Sequence, residues 1–304
     1  MGQSSARVVA VVGTTGMQGG VVTRRLLRDG WAVRALTRTP ASKKARAVAA
    51  LGAEVVRADT NESRDLDRAF EGAHGVYNVQ NHHLSGYDGE VAQARNVAAA
   101  AARAGVRHVV YGSAGFGRAG TGVGSWETKV EAADYMRAQD LPVTILRPTA
   151  FMELMTERKF FPPASAWKVM PELMGEDRPV LWLAVEDLAV IAAMAFADPD
   201  RFVGQDLSLA ADVQSIGQCR AIWLEETGRA PRRLPLPVGL FERFVGVDET
   251  TMWRWLRDHD YDLDTRPTRT LHPHALTVRQ WLRVRRGQPA DPPEPPASKK
   301  ERPD

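Results

Sequence analysis

Hydrophobic and polar positions alternate in blocks along the first half of the chain, and each block has the period of a strand or a helix. Residues 7–12 form a β-branched run that ends at a glycine, which is typical of a strand buried on both faces. Residues 19–28 instead carry their apolar side chains on one side, as an amphipathic helix does, and Gly30 supplies a left-handed stop. The pattern then predicts strands at 31–37, 53–58, 75–79, 106–111 and 143–146, and helices at 41–51, 66–70, 90–103 and 126–137.

Strands that alternate with helices in this way predict a parallel sheet covered on both faces. Right-handed crossovers then favour an α/β, doubly wound arrangement, the Rossmann fold, for residues 1–150. The alternation breaks down after Pro148, and we interpret residues 151–286 as a smaller C-terminal substrate lobe folded over the sheet. This lobe would contain helices at 187–196 and 216–226 and a short strand at 206–209. Residues 287–304 include six prolines among eighteen residues, which predicts an extended, disordered tail.

Composition narrows the class of protein. The chain has 304 residues, of which 44% are apolar and 25% charged, and this excludes a disordered or collagen-like chain. The single cysteine, Cys219, excludes a disulfide framework and suits a reducing compartment. Without residues 283–304, 34 basic and 33 acidic residues remain, so no concentrated basic face for nucleic acid is expected. No apolar stretch is long enough for a membrane span, and we expect a soluble, cytoplasmic protein.

The segment between the first predicted strand and the first predicted helix reads Gly13-Thr14-Thr15-Gly16-Met17-Gln18-Gly19. Glycines let the backbone turn tightly and approach a pyrophosphate, and the helix N-terminus behind them offers unpaired N–H donors. The spacing is not that of the commoner G-x-G-x-x-G fingerprint, and a plain glycine-rich turn is the alternative. Its position nevertheless favours a dinucleotide site, with contacts expected from Gly13, Thr15, Gly16, Met17, Gln18 and Gly19.

The end of the second strand indicates whether the site binds NAD or NADP. An NAD site places an acidic residue there to bind the ribose 2′-hydroxyl, whereas an NADP site places a cation. Here the strand ends at Arg38, and no acidic residue lies between Trp31 and Arg38. Arg38 can grip a 2′-phosphate in a bidentate contact, which Lys43 or Lys44 can supplement. We therefore predict NADP(H), with a solvated strand-end arginine as the alternative.

The ends of the next two strands supply the remaining contacts that we expect with the cofactor. Asp59 ends the third strand, and its carboxylate can accept a hydrogen bond from the adenine amino group. An aspartate in this position equally often caps a turn. Thr60 follows Asp59, and Val79 ends the fourth strand; both are expected to line the cofactor.

Taken together, these segments resemble the NmrA-like branch of the atypical short-chain dehydrogenase/reductase superfamily. The resemblance covers nearly the whole chain up to about residue 285 and is carried by Gly13–Gly19, Val33–Arg38, Asp59, Lys129-Val130-Glu131, Thr144–Pro148 and Met252–Leu282. It implies NADP(H) in a Rossmann cleft, with Arg38 at the 2′-phosphate, Lys129 near the nicotinamide ribose and Phe151 close to the nicotinamide. Members of the family include NAD(P)H-dependent reductases of quinones and related small molecules. Others are redox-sensing regulators that bind the cofactor without turning it over.

The chain departs from most short-chain dehydrogenases because it lacks their Tyr-x-x-x-Lys dyad. None of its five tyrosines has a lysine four residues later, and the residue four before Lys129 is Ser125. A serine hydroxyl is too weak an acid to replace a phenol, so ordinary alcohol–ketone chemistry is not expected. Either the substrate needs little help from an acid, as a quinone, activated alkene or imine does, or there is no turnover. A further alternative is an acid from the predicted loop at 80–89, namely His82, His83 or Tyr87.

Two other features are candidates for the site. Ser113 follows the fifth strand, where short-chain dehydrogenases often have a catalytic serine, and it can orient substrate or merely start a loop. Residues 112–124 contain six glycines, which predicts a loop that closes over substrate or a flexible linker. The His82-His83 and His272-x-His274 pairs have no carboxylate or cysteine at ligand spacing, so no metal is expected. The expected catalytic residues are Lys129, Ser113, Tyr87 and His83.

The leading hypothesis is an NADPH-dependent reductase that transfers hydride to a small, apolar, conjugated substrate without the tyrosine–lysine dyad. The missing dyad also motivates the alternative, an NADP(H)-sensing regulatory protein with no turnover and a protein partner. A third alternative is dehydration or isomerisation on a retained fold. The expected partner is a small-molecule substrate, with a homodimer or a regulatory protein partner as further options and neither nucleic acid nor membrane.

Overall fold

The computed structural model describes residues 7–156, 165–232 and 237–291 of the chain. Its strands are β1 (Val8–Val11), β2 (Ala32–Thr37), β3 (Glu54–Arg57), β4 (Gly75–Asn78), β5 (His108–Gly112), β6 (Val143–Pro148), β7 (Ala150–Phe151), β8 (Pro179–Leu183), β9 (Asp206–Leu209) and β10 (Asp212–Ser215). Seven of them form a parallel sheet in the order β3-β2-β1-β4-β5-β6-β9, and β10, β8 and β7 form a second, small sheet. The predicted doubly wound α/β sheet is confirmed.

Helices cover the sheet and build most of the rest of the molecule. They are α1 (Met17–Arg28), α2 (Lys43–Ala49), α3 (Ser63–Phe70), α4 (His82–Arg103), α5 (Gly124–Ala138), α6 (Ser165–Lys168), α7 (Met170–Met174), α8 (Val185–Ala197), α9 (Pro199–Phe202), α10 (Ile216–Thr227), α11 (Val238–Val245), α12 (Val247–Asp258), α13 (Arg266–Leu271) and α14 (Val278–Arg285). A 3-10 helix at Met152–Met155 follows β7.

Both faces of the large sheet are covered by apolar side chains. On one face α1 and α8 pack side by side, through residues that include Val22, Leu26, Leu188 and Phe196. On the other face α3, α4 and α5 pack through residues that include Leu66, Phe70, Val97 and Met136. Strands enclosed on both faces need successive apolar side chains instead of an alternating pattern, which accounts for the β-branched runs of the sequence.

The order of the large sheet determines where a ligand can bind. Val9 of β1 lies beside Val33 of β2 on one side and beside Gly75 of β4 on the other. The strand order therefore reverses between β1 and β4. Doubly wound sheets bind ligands in the crevice at the carboxyl ends of the strands next to such a reversal. The glycine turn at residues 13–19 follows β1 at this end of the sheet.

The large sheet does not end near residue 150. β9 pairs in parallel with β6, with Leu207 beside Leu146, and α8 covers the same face as α1. The predicted boundary at residue 150 therefore needs correction, because residues on its far side complete the sheet domain. Many other elements separate β6 from β9 along the chain, so the local sequence pattern could not reveal this pairing. The remaining elements, including the small sheet, α10, α12 and α14, pack around a third cluster rich in tryptophan, comprising Trp126, Trp167, Trp182, Trp253, Trp255 and Trp281.

The segment predicted as a loop at 80–89 is largely helical, which is a second correction. Asn81 caps the first turn of α4, because its side-chain oxygen accepts a 3.0 Å hydrogen bond from the N–H of His83. Gly86, with a φ of +72°, then kinks the helix before it continues to Arg103. A short capped turn before a glycine has no apolar periodicity, so the pattern of residues could not reveal it.

The predicted tail begins where α14 ends. Gly287 has a φ of +73° and follows the last turn of the helix. Residues 292–304 lie outside the described residues, so the extended tail stays a prediction. In the ranges that the structure describes, no helix is long and apolar enough to cross a membrane.

Candidate active site

The turn between β1 and α1 depends on its glycines. Gly13 has a φ of +76°, and its carbonyl oxygen accepts a 2.9 Å hydrogen bond from the N–H of Gly16. A Cβ atom on Gly19 would lie 2.3 Å from that carbonyl oxygen, which is closer than atoms can approach. The first turn of α1 can therefore pack against the backbone of the glycine turn only while Gly19 has no side chain.

The N-terminus of α1 presents backbone donors to the crevice. The helix begins at Met17, and its N-cap, Gly16, has no side chain that could accept from the first-turn N–H groups. The hydroxyl of Thr14 points away from them and donates a 3.1 Å hydrogen bond to the carbonyl of Leu36 in β2. A helix of twelve residues with uncapped donors and an approachable backbone fits the pyrophosphate of a dinucleotide.

Three cationic side chains follow β2 along the chain. Arg38 is exposed directly after the strand, and within the described part of the chain no hydrogen bond or ion pair engages its guanidinium. Lys43 and Lys44 begin α2 and are also exposed. Arg34, earlier in the same strand, is instead held by Glu54 at 3.0 Å. Of these two arginines, Arg38 is therefore the one that is available to bind a 2′-phosphate.

Asp59, Thr60 and Val79 lie along the same edge of the sheet. The carboxylate of Asp59 accepts two 3.0 Å hydrogen bonds, from the N–H and from the side-chain amide of Asn61. The turn-capping use that the sequence left open is therefore present, and contact with adenine stays a prediction. Thr60 follows, half-buried. A Cβ atom on Gly13 would lie 3.0 Å from Cγ1 of Val79, so Val79 packs directly beside the glycine turn.

A cavity of about 740 Å³ opens between the large sheet and the lobe. Its aromatic lining residues are Phe116, Trp126, Phe151, Phe241, Trp253 and Tyr261. Its polar lining residues include Gln18, Asn81, His83, Ser113, Thr149 and Glu249. Because Gln18 belongs to the first turn of α1, the cavity reaches the proposed dinucleotide crevice. A mostly apolar cavity with a few polar groups beside a cofactor crevice is a usual substrate site.

Two of the predicted residues that line this cavity, Gln18 and Ser113, are held by hydrogen bonds. Gln18 accepts a 3.2 Å hydrogen bond from the hydroxyl of Tyr77, a fully buried residue of β4 whose pKa burial raises far above its usual value. Ser113 is also buried, and its hydroxyl accepts a 3.3 Å hydrogen bond from Arg147. Arg147 is in turn paired with Asp206 of β9. The Ser113 hydroxyl is therefore held by a buried arginine that is itself paired with the more exposed Asp206.

Lys129 does not line the cavity. Its ammonium lies behind the wall and donates hydrogen bonds to the carboxylate of Glu90, at 2.6 Å, and to the carbonyl of Gln80, at 3.0 Å. Burial lowers the pKa of Lys129, and the charge of Glu90 opposes that shift. The structure thus assigns Lys129 a fixed buried partner, while its predicted contact with the nicotinamide ribose stays a prediction.

His83 lines the cavity and Tyr87 does not, and the two side chains have different partners. Nε2 of His83 lies 2.8 Å from a carboxylate oxygen of Glu249, and this hydrogen bond raises the pKa of His83 above its usual value. Tyr87 stacks on His82, with ring centroids 5.3 Å apart, and is not among the cavity-lining residues. Burial, together with the charge and hydrogen bond of Asp248, raises the pKa of Tyr87 to about 12. Tyr87 is therefore a poor proton donor at neutral pH.

The sequence has no carboxylate at ligand spacing from His82-His83. The fold brings one next to this pair from α12. His82, His83 and Glu249 each offer a possible ligand atom, and these atoms lie within 4.8 Å of one another. The two rings are tilted by 38° with centroids 4.0 Å apart. The expectation that His82 and His83 bind no metal stays a prediction.

The glycine-rich segment 112–124 is anchored at both of its ends. Near its start, Phe116 packs edge-on against Trp126 with ring centroids 5.4 Å apart. Near its end, the carboxylate of Glu127 accepts hydrogen bonds from the N–H groups of Gly120 and Thr121 at 3.1 and 2.6 Å. The segment forms one wall of the cavity, and whether it moves stays a prediction.

Several site residues could not be found from the sequence. Glu249 and Asp248 follow Val247 in a polar first turn of α12 that has the composition of any helix start. Phe241 and Trp253 belong to the third cluster and also line the cavity. The signal that could have found Glu249 is spatial, because it lies more than 160 positions after His83 in the sequence.

The sequence matches a family model over most of its length. The model of the NmrA-like family aligns with residues 5–282. Among curated proteins, the NmrA-like family domain-containing oxidoreductase FrzB of Cladobotryum sp. is 28% identical over 255 residues, which cover 75% of this chain and 76% of that protein. The corresponding oxidoreductase malD of Malbranchea aurantiaca is 29% identical over 254 residues, or 76% of each chain.

Solved structures share the fold at lower identity. The negative transcriptional regulator NmrA superposes with a TM-score of 0.73 at 21% identity, covering 91% of this chain and 94% of NmrA. An NADPH-dependent quinone oxidoreductase of Escherichia coli gives 0.70 at 22%, over 89% and 97% of the two chains. The triphenylmethane reductase of Citrobacter sp., solved with NADP(H), gives 0.73 at 19%, also over 89% and 97%. At these identities the similarity establishes the fold alone.

Proposed function

Because the chain belongs to the NmrA-like family, we propose that it is an NADPH-dependent reductase of a small, apolar, conjugated substrate, working without the tyrosine–lysine dyad. The observation that carries the proposal is the cavity of about 740 Å³, which runs from Gln18 in the glycine turn to the aromatic residues of the lobe. A substrate in this cavity would lie next to a dinucleotide bound over the turn. The curated relatives are named as oxidoreductases, which supports a redox reaction.

The residues of this chain would hold NADPH as follows. The uncapped N–H groups at the start of α1 bind the pyrophosphate, and Gly19 allows it to approach the backbone. Arg38 binds the 2′-phosphate through its free guanidinium, with Lys43 beside it. NADPH, when bound, supplies the hydride. A quinone oxidoreductase and a triphenylmethane reductase of the same fold are named as NADPH-dependent or were solved with NADP(H), which supports this choice of cofactor.

The cavity walls determine which substrates can react. Phe116, Trp126 and Phe151 present apolar faces that exclude water and stack on a flat, conjugated molecule. The hydroxyl of Ser113 is fixed by Arg147 and can orient a polar end of that molecule. Lys129 keeps Glu90 and the Gln80 carbonyl in place behind the wall, which makes it a positioning residue.

A neutral acceptor such as a quinone also needs a proton, and His83 is the residue placed to give it. It lines the cavity, whereas Tyr87 does not. Its hydrogen bond to Glu249 raises its pKa, so the imidazole keeps a proton closer to neutral pH than a free histidine does. The Tyr87 phenol, with a pKa of about 12, holds its proton too tightly.

The second candidate function is a regulatory protein that senses NADP(H) without turnover. The missing dyad favours it, because the usual proton donor of the superfamily is absent from the sequence. The two functions differ in whether NADPH is consumed.

The test is NADPH consumption, followed by absorbance with quinones, enones, imines and aldehydes offered in turn. The reductase is expected to oxidise NADPH with one or more of the first three classes and to leave simple aldehydes unreduced. A Phe151→Ala variant that still binds NADPH should lose activity by up to about a hundredfold, because a 1 Å displacement of the substrate can have an effect of this size. Unchanged NADPH with every class, together with unequal affinities for NADPH and NADP⁺, would establish the sensor instead.

A further inference from the structure

Two imidazoles and one carboxylate meet where the start of α4 faces the start of α12. His82 and His83 lie in the first turn of α4, and Glu249 lies in the first turn of α12. Within the part of the chain that the structure describes, this is the one group of three residues whose ligand atoms lie close enough together to share a metal ion. The sequence predicts no metal at the histidine pair because a carboxylate is missing from its neighbourhood along the chain. The fold supplies that carboxylate from a distant segment.

Two of the three side chains have a polar atom without a use. Nε2 of His82 and the second carboxylate oxygen of Glu249 are buried, and neither has a hydrogen-bond partner among the described residues. The first oxygen of Glu249 lies 2.8 Å from Nε2 of His83 and 3.9 Å from Nε2 of His82. A buried polar atom without a partner is costly, and a bound ion is one of the groups that satisfy such atoms.

The separations of the ligand atoms are near those of a zinc site. Zn²⁺ holds imidazole nitrogens and carboxylate oxygens in a tetrahedron at about 2.0–2.2 Å, so neighbouring ligand atoms lie about 3.3–3.6 Å apart. The two distances from Glu249, 2.8 and 3.9 Å, fall on either side of this range. The side chain of His83 is about half-exposed, so its ring is free to turn its nitrogen toward an ion shared with His82.

The surroundings of the three side chains favour a divalent cation. Tyr87 stacks on the ring of His82 with centroids 5.3 Å apart, and this contact supports the ring from behind. Asp248, the neighbour of Glu249, adds a second negative charge and accepts a 3.2 Å hydrogen bond from the N–H of Ser125. Among the described residues that line the cavity, none is a lysine or an arginine that could compete with a cation.

We propose that His82, His83 and Glu249 form a binding site for Zn²⁺. Two imidazoles and one glutamate are a ligand set of open zinc sites, which leave a fourth position to water or to a small molecule. Because His83 and Glu249 line the cavity, this fourth position opens toward the cavity. Mg²⁺ prefers oxygen ligands, so the two imidazoles select against it.

Zn²⁺ at this site inhibits the proposed reductase, a consequence that rests on the proposed function. His83 is the residue placed to give a proton to a quinone, and the hydrogen bond between its Nε2 and Glu249 holds that proton. Zn²⁺ binds an imidazole through the lone pair of a deprotonated nitrogen. The ion and the proton therefore exclude each other at Nε2 of His83.

Binding tests the site without turnover. The full chain, free of any histidine tag and stripped of metal by a chelator, is titrated with Zn²⁺ in a calorimeter. We expect a single ion to bind, and His82→Gln and Glu249→Gln each to weaken binding by at least about a hundredfold. Loss of a residue that only supports a ligand already costs about tenfold to a hundredfold, and these two residues are ligands. Mg²⁺ should give no heat of binding.

The second histidine pair of the chain provides the control. His272 and His274 have ring centroids 6.5 Å apart, and His274 is exposed. His274→Gln therefore removes an imidazole of equal chemistry and should leave the affinity for Zn²⁺ unchanged. Co²⁺ gives a second readout, because a four-coordinate site makes it absorb strongly in the visible range. Absence of saturable binding, or an unaltered affinity in both His82→Gln and Glu249→Gln, would overturn the proposal.

Turnover separates the metal site from the reductase function. Saturating Zn²⁺ is expected to slow the reduction of menadione by NADPH about a hundredfold, the smaller contribution that a general acid makes, and a chelator should restore the rate. His82→Gln, compared with its own rate without metal, should resist the ion. An undiminished rate in the zinc-saturated protein would refute the inhibition. If the metal-free protein reduced no acceptor at all, the reductase function would be contradicted, while the calorimetric result would still decide the metal site.

Discussion

The ammonium of Lys129 and the carboxylate of Glu90 form a buried ion pair with an N–O distance of 2.6 Å. Glu90 has no exposed surface and Lys129 has 6%. The second oxygen of Glu90 accepts from the hydroxyl of Thr128, one residue before Lys129. α4 and α5 are therefore joined by a buried charge pair directly behind the wall of the cavity. Removing one partner leaves the other charged and unsolvated.

Glu90→Gln is expected to destabilise the protein by about 3–5 kcal/mol, because it leaves the Lys129 ammonium buried without its counter-charge. Urea denaturation, followed by tryptophan fluorescence, measures the loss. The control is Glu131→Gln, which removes the partner of Arg95 in an ion pair where both side chains are about half-exposed. That pair should contribute less than about 1 kcal/mol. Equal losses in the two variants would show that the buried pair has no special cost.

Gly19→Ala tests the steric basis of the glycine turn. The added Cβ would meet the Gly13 carbonyl oxygen at 2.3 Å, so the first turn of α1 must move away. We expect NADPH affinity to fall at least about a hundredfold, because several backbone donors to the pyrophosphate shift together. Gly239→Ala is the control, since a Cβ there meets nothing within 4 Å and α11 should gain up to about 1 kcal/mol. Calorimetric titration with NADPH would reveal an unaltered Kd if the turn were unimportant.

Arg38→Ala tests the choice between NADP(H) and NAD(H). A hydrogen bond to a charged group contributes about 1.5–3 kcal/mol, so NADPH should bind tenfold or more weakly in the variant. NADH lacks the 2′-phosphate and should bind about as well as before. Arg28→Ala, an exposed change at the far end of α1, is the control. Titration of both cofactors would contradict the assignment if the two affinities fell by the same factor.

The parts of the molecule that follow from local sequence were predictable. The apolar runs predicted the first six strands of the large sheet, because the central strands are enclosed on both faces and need apolar residues in succession. The glycine turn was predictable for a similar reason, since Gly13 and Gly19 are required by backbone geometry at fixed spacing. Arg38 could be singled out because it ends a strand. In each case a short segment contains the whole physical cause.

What could not be predicted depends on contacts between distant segments. β9 reads as a short strand of the lobe, and only its pairing with β6 makes it part of the large sheet. Glu249 looks like an ordinary acidic residue in a first helical turn until it is seen beside His83. Tyr87 was predicted from its position, and Lys129 from its position and the family resemblance. Their partners are Asp248 and Glu90, and neither residue lines the cavity.

Glu153 gives the stability of the protein a specific dependence on pH. Its carboxyl is buried behind the cavity, where it accepts a 3.0 Å hydrogen bond from the indole of Trp281 and a 3.2 Å bond from the N–H of Val185. Burial, and then the charge of Glu186, raises the pKa of Glu153 from 4.5 to about 7. The folded state therefore binds this proton more tightly than the unfolded chain does.

The sign of the effect follows from that difference. The stabilisation is fully present below pH 4.5, where Glu153 is protonated in both states, and it is lost as the pH rises through about 7. A shift of this size corresponds to about 3 kcal/mol between the two limits. Glu153→Gln has no titrating proton, so the difference in unfolding free energy between the wild type and the variant should change by up to this amount between pH 5 and pH 8. Subtracting the two curves removes the contribution of His83, whose raised pKa acts in the same direction. Urea denaturation at several pH values measures both curves, and parallel curves would mean that the Glu153 carboxyl titrates as it does in the unfolded chain.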